Sequence, residues 1–157
     1  MKITLLTIGK TEDKYLKEGI EKYLKRLKHY VSFKIVELPE LKNTKSLTQE
    51  QQKAKEGELI SKNILNTDQL ILLDEKGQEF SSVQFSGFLN KKMLGSVQHL
   101  VFVVGGPYGF DPSIQNRADD KLSLSRMTFS HQMVRLFFIE QLYRSFTILK
   151  GEPYHHE

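Results

Sequence analysis

Apolar and polar positions change period several times along the chain, and each change marks an element. Residues 2–8 (KITLLTI) are apolar enough for a buried strand, closed by Gly9. Leu16, Ile20, Tyr23, Leu24 and Leu27 then recur at three and four, predicting a helix that Asp13 can cap and whose lysines face water. A second strand is predicted over residues 33–38, stopped by Pro39. Residues 43–52 turn polar and basic and read as a mobile loop entering a helix. Thr48 with Gln51 forms a candidate capping box for that helix; Gly57 weakens it before Leu59, Ile60 and Ile64 supply its inner face.

Residues 69–74 (QLILLD) predict a third strand that ends in the turn Glu75-Lys76-Gly77. Ser81 and Ser82 can cap a short amphipathic helix with Phe85, Phe88, Leu89 and Met93 inward, ended near Gly95. Residues 100–104 (LVFVV) do not alternate, which suits a central parallel strand covered on both faces. Asp111-Pro112 is a helix start, and that helix is short because Asp119-Asp120 follows. Residues 122–129 (LSLSRMTF) alternate apolar and hydroxyl positions like a further strand. A last helix runs from about Gln132 to Leu149 with more apolar surface than one stripe needs, so part of it is expected to meet another subunit. Strand and helix alternate five times, predicting one α/β domain over residues 1–157, with a mainly parallel sheet and helices on both faces.

The strand at 100–104 runs into Gly105, Gly106, Pro107, Tyr108 and Gly109. Carboxyl ends of parallel strands are where ligands bind in such sheets, although glycine and proline also build plain turns, and both readings stand at this point. The loop lacks the spacing of a dinucleotide fingerprint, and no phosphate-binding G-x-x-x-x-G-K run occurs. Composition narrows the classes further. There are no cysteines, which excludes disulfides and thiolate metal sites. No apolar span of ~20 residues or signal-like start is present, so a cytoplasmic protein without a membrane partner is expected. The net charge of +4 permits an anionic partner such as RNA.

Four separated motifs and the chain-terminal PYHHE fall in one order: the first strand ending in IGK, LLDEKG, VFVVGGPYGF, LSLSRMTFSHQMVRLFFIEQLYRSF and the tail. Together they resemble, over essentially the whole length, the bacterial large-subunit (23S) ribosomal RNA pseudouridine N3-methyltransferase family, a minimal member of the trefoil-knotted SPOUT methyltransferases. The resemblance implies a homodimer with a C-terminal trefoil knot, an S-adenosylmethionine cofactor, and a pseudouridine of 23S rRNA as substrate on the large subunit or the whole ribosome. By motif match, Leu73, Gly105, Gly106, Leu124, Ser125, Arg126, Met127, Thr128 and Phe129 would surround the cofactor.

His155 and Tyr154 are the expected catalytic or substrate-positioning pair, and Arg126, Arg135, Arg144 and His156 the expected RNA contacts. Glu157 adds a carboxylate beside them. The tail reads as a loose end that contributes little to the fold, and the resemblance implies that it closes over the partner's cleft. Two positions depart from the family pattern: His156 stands where arginine is common, and Ser130 where proline is common. No metal is expected, because adjacent histidines on an extended tail project in different directions. The rival readings are a non-catalytic RNA- or ribosome-binding module of the same fold, and a flavodoxin-like small-molecule domain.

Overall fold

A computed structural model describes residues 1–156. The chain runs β1 (Lys2–Ile8), α1 (Lys14–Leu27), β2 (Ser32–Leu38), a single 3-10 turn (Thr44–Ser46), α2 (Gln49–Ser61), β3 (Gln69–Glu79), α3 (Ser82–Leu94), β4 (His99–Val104), α4 (Pro112–Arg117), β5 (Asp120–Ser123) and α5 (Met133–Leu149). The strands form one parallel sheet in the order β2-β1-β4-β3-β5. Side chains on successive residues alternate between its faces, so each central strand feeds two cores. Ile3 and Leu5 of β1 and Leu100, Phe102 and Val104 of β4 meet Leu27 of α1, Phe85 of α3 and Phe138 of α5. Leu6, Ile8, Val101 and Val103 meet Ile60 of α2, Phe110 of the loop after β4 and Ile114 of α4 on the other side. Helices therefore cover both faces, as the unbroken apolar runs require.

Local signals set most boundaries. Thr48 and Ser81 each form a full capping box, with Gln51 and Gln84, and the Asp111 side chain accepts the Ser113 N–H with Pro112 in the first turn. Asp13 stands at the N-cap position of α1, but its side chain makes no capping bond. No helix among the described residues is long and apolar enough to cross a membrane.

Three expectations change. The third strand does not stop at Asp74 but continues to Glu79, because it pairs with β5. Leu122 faces both Leu73 and Gln78, so residues 74–77 bulge from the ladder. Gly77 is required there by proximity, since a Cβ would lie 2.7–2.8 Å from backbone atoms of Lys121 and Leu122. Conversely, β5 ends at Ser123 and residues 124–129 are irregular. The hydroxyls that gave the alternating pattern bond to their own loop: Ser123 Oγ donates to Ser125 O at 2.8 Å and Ser125 Oγ accepts from Met127 N at 3.0 Å. The apolar surplus of α5 is mostly absorbed inside the chain, with Phe138 and Phe146 buried and Phe137 left 41% exposed.

Arg135, expected on the RNA side, is instead fully buried at the first turns of α5. Its guanidinium donates to the carbonyls of Ile8, Gly9 and His131 and to Thr11 Oγ1, all at 3.0–3.1 Å, with the Glu37 carboxylate 3.7 Å away. Burial lowers its pKa, opposed by Glu37, Glu12 and Glu40, and its five donors fit the carbonyl ends that β1 leaves open. It ties α5 to the carboxyl end of β1 and cannot touch RNA from this position. Replacing it with methionine leaves those carbonyls without donors, so Arg135→Met should lower unfolding free energy by about 3 kcal/mol in urea titrations. An unchanged midpoint would contradict the role given to this buried cation.

Candidate functional site

A cleft of about 730 Å³ opens where β3 bulges and β4 ends. Its walls come from the glycine loop, the bulge of β3 and the irregular segment after β5, which the β3–β5 pairing carries to the same edge. Of the residues expected around a cofactor, Leu73, Gly105, Gly106, Leu124, Ser125, Met127, Thr128 and Phe129 all line it. Arg126 does not: its side chain is 89% exposed and its Nε donates to Glu79 Oε1 at 2.7 Å, which raises its pKa.

The glycine loop is both a turn and a cleft wall. Gly109 N bonds Gly106 O at 3.2 Å, and Gly109 has φ +83°, a left-handed angle that favours glycine. A Cβ on Gly105 would press on the Phe110 ring at 3.1 Å, and one on Gly106 would run into the Glu56 carboxylate behind it. A side chain at Gly106 therefore disturbs the wall from the rear, not by filling the cleft as the sequence suggests.

The floor is apolar, with Leu73, Val104, Leu122 and Leu124, while the rim carries both signs: Lys53, Lys76 and Lys121 against Asp74 and Glu75. Thr128 Oγ1 donates to Glu75 Oε2 at 2.5 Å, pinning the segment after β5 to the bulge of β3. Sequence reasoning missed Lys53, Gln115 and Lys121. Lys53 looks like one more solvated lysine of α2, and only the tertiary packing turns it inward. Beside the cleft, and sharing Leu122, Leu124 and Phe129 with it, lies a smaller groove of about 360 Å³ walled by Phe80, Phe85, Phe137 and Gln141. Phe129 and Phe137 meet there at 5.2 Å between ring centroids, both partly exposed.

The tail is docked rather than loose. Tyr154 packs edge-on against Tyr143 at 4.8 Å and under the Arg144 guanidinium at 4.7 Å. Its hydroxyl donates to Glu140 Oε1 at 3.0 Å and lies 3.2 Å from Tyr23 Oη, which must then be the donor to it. Burial, Tyr23 and Glu140 all raise the Tyr154 pKa. The phenol is thus held neutral, suited to donate and to orient but not to take a proton. Arg144 pairs with Glu140 at 2.6 Å, which raises its pKa, and sits 3.3 Å from His155 Nδ1. A guanidinium only donates, so in this contact Nδ1 is the accepting nitrogen of His155. His156 is exposed, and Glu157 lies outside the described residues.

None of the described tail residues lines the cleft of its own chain. Arg144, which holds His155, is roughly 15 Å further along α5 than the cleft-lining Val134, at 1.5 Å rise per residue. Within one chain the structure brings the expected cofactor residues together and keeps the expected catalytic pair apart from them.

A family model described as "Predicted SPOUT methyltransferase" matches residues 1–155. The chain is 60% identical to ribosomal RNA large subunit methyltransferase H of Flavobacterium johnsoniae over 157 residues, covering all of both chains. It is 57% identical to the protein of that name from Parabacteroides distasonis and 52% identical to that from Bacteroides fragilis, each again over the full length of both.

The docking of the tail yields an expectation for stability. Tyr154→Phe removes the bonds to Glu140 and Tyr23 and should lower unfolding free energy by about 1 kcal/mol. Tyr30 Oη donates to Glu152 Oε2 at 2.5 Å, and this bond pushes the Tyr30 pKa from 10.0 up to about 12. The folded chain therefore keeps that proton after the unfolded chain has lost it, and the contribution is full below pH 10 and lost as pH rises toward 12. Unfolding curves should show that alkaline loss, and Tyr30→Phe should flatten it; a Tyr30→Phe profile parallel to wild type would contradict the tail's attachment.

Proposed function

The chain belongs to the SPOUT methyltransferase family, and we propose that it methylates N3 of a pseudouridine in 23S rRNA with S-adenosylmethionine bound in the cleft at the glycine loop. One observation carries this reading: residues from three separated motifs, Leu73, Gly105-Gly106 and the segment 124–129, converge on a single cleft at the carboxyl edge of a parallel sheet. The lining suits that cofactor. Leu73, Val104 and Leu124 offer apolar faces to an adenine ring, the side-chain-free backbone of Gly105-Gly106 allows close approach, and rim lysines and carboxylates match the two charges of an amino-acid end.

When bound, the cofactor supplies a methyl group already activated on a sulfonium. The protein's own work is orientation and proton management, since N3 of the base carries a proton that must leave as its lone pair takes the methyl group. His155 is assigned as the acceptor of that proton, after exchanging its contact with Arg144 for the base. Tyr154, held neutral, orients the base or stacks on it. Arg126, exposed at the lip of the cleft, and the exposed His156 are assigned to RNA phosphate.

This chemistry needs a second copy. A tail held along α5 serves the cleft of a partner subunit, not its own, and the groove bearing Phe129 and Phe137, continuous with the cleft, is assigned to the homodimer contact. The last third of each chain would form the trefoil knot of this class. A single domain of 157 residues has little surface for RNA of its own, so the reading places it in the cytoplasm on the large subunit or the assembled ribosome.

Ribosomes from cells lacking the protein, incubated with methyl-labelled S-adenosylmethionine and the wild-type chain, should gain N3-methylpseudouridine in 23S rRNA. His155→Ala should slow this about 100-fold, the low end for loss of an acid–base or positioning group. Binding to ribosomes without any methyl transfer would favour the non-catalytic module instead.

A further inference from the structure

One histidine side chain stands inside the cleft and is used neither by the fold nor by the steps assigned above. His131, between the segment after β5 and the start of α5, lines the cleft together with Ser130 and Val134 and is exposed there. Its backbone is fixed from several directions. The His131 carbonyl accepts from the buried Arg135 at 3.1 Å. On one side, Ser130 Oγ accepts from Met133 N and Ser130 O from Val134 N, both at 3.1 Å. On the other, Gln132 Nε2 donates to Lys10 O at 2.9 Å and Gln132 Oε1 accepts from Glu12 N at 3.0 Å, which ties residue 132 to the segment after β1. The imidazole, by contrast, has no hydrogen bond or ion pair among the described residues.

The reaction has a matching need. As N3 of the base gives its proton to His155, charge develops on the two carbonyl oxygens that flank it. The N3 lone pair takes the methyl carbon, the electrons of the carbon–sulfur bond return to sulfur, and the sulfonium becomes a neutral thioether. A donor held at one of those oxygens stabilises the charge until the methyl group neutralises it. We propose that His131 is a further catalytic residue, whose ring N–H donates to a carbonyl oxygen of the target base beside N3. This rests on the reading of the cleft as the site of methyl transfer. An imidazole keeps at least one N–H in either protonation state, whereas the carboxylates of Asp74 and Glu75 only accept. Lys121 already donates to Gln115 Oε1 at 3.1 Å. The ammonium of Lys53 or Lys76 sits on a flexible four-carbon stem, while His131 is presented from a backbone fixed beforehand, so its donor loses little freedom on meeting the base.

The test is single-turnover methylation of ribosomes that lack the modification, at saturating labelled S-adenosylmethionine, beside calorimetry of the same full-length proteins with S-adenosylhomocysteine. His131→Ala should slow methyl transfer about 100-fold, the low end for loss of one donor to a developing oxyanion. Its affinity for S-adenosylhomocysteine and its melting temperature should stay those of wild type. His131→Asn and His131→Gln place an amide N–H near one ring nitrogen or the other and cannot take a proton, so one of them should recover about 10-fold of the loss, the effect of about one hydrogen bond. His131→Leu fills the same space without a donor and should be as slow as the alanine variant, for which it stands in if that protein does not fold. Transfer at the wild-type rate without the imidazole, a parallel loss of S-adenosylhomocysteine affinity, or no recovery with either amide would each overturn the inference and leave the methyltransferase reading standing. A wild-type protein that transfers no methyl group would overturn both.

Discussion

The structure depends on a close approach of two backbones. β5 lies against the bulged end of β3 at Gly77, at a distance no side chain permits. That pairing directs everything after residue 120 to the carboxyl edge of the sheet, beside the glycine loop that ends β4. From there Arg135 fixes the start of α5 to the last carbonyls of β1. The cleft is the space left between these attachments, and its walls come from parts of the chain that are far apart in sequence.

Much of this was legible in residues alone, because the signals are local. The capping box at Thr48, the cap at Ser81, the N-cap at Asp111 and the non-alternating run of β4 each require only their neighbours. What was not legible depends on distant partners. Glu75-Lys76-Gly77 reads as a turn until β5 is seen to pair across it, and the hydroxyls of residues 122–129 read as a strand face until they are seen bonding within their own loop. Arg135 looks like any helical cation; its acceptors at Ile8 and Gly9 stand more than a hundred residues earlier.

The motif resemblance picked out residues that share one cleft, because β3 bulges and β4 ends at the same edge of the sheet. It was less informative about the tail, whose aromatic and charged side chains suit RNA chemistry but also suit docking on α1 and α5. The structure gives Tyr154 that second task while leaving the first open to a partner's cleft. Its single O–H is given to Glu140 and its oxygen meets the Tyr23 hydroxyl, so in the docked tail the phenol acts as a peg.

The central claim is that an active unit is composite, with the cleft of one subunit completed by the tail of another. Mixed dimers test it most directly. One chain carries a cleft blocked at Gly105 by a bulky residue; the other ends at Pro153. Each should be inactive alone. Because the intact cleft and the intact tail then sit on different subunits, the mixture should regain methyl transfer to ribosomes, with one working site per mixed dimer. No recovery in dimers verified to be mixed would contradict the account and return the tail to the cleft of its own chain.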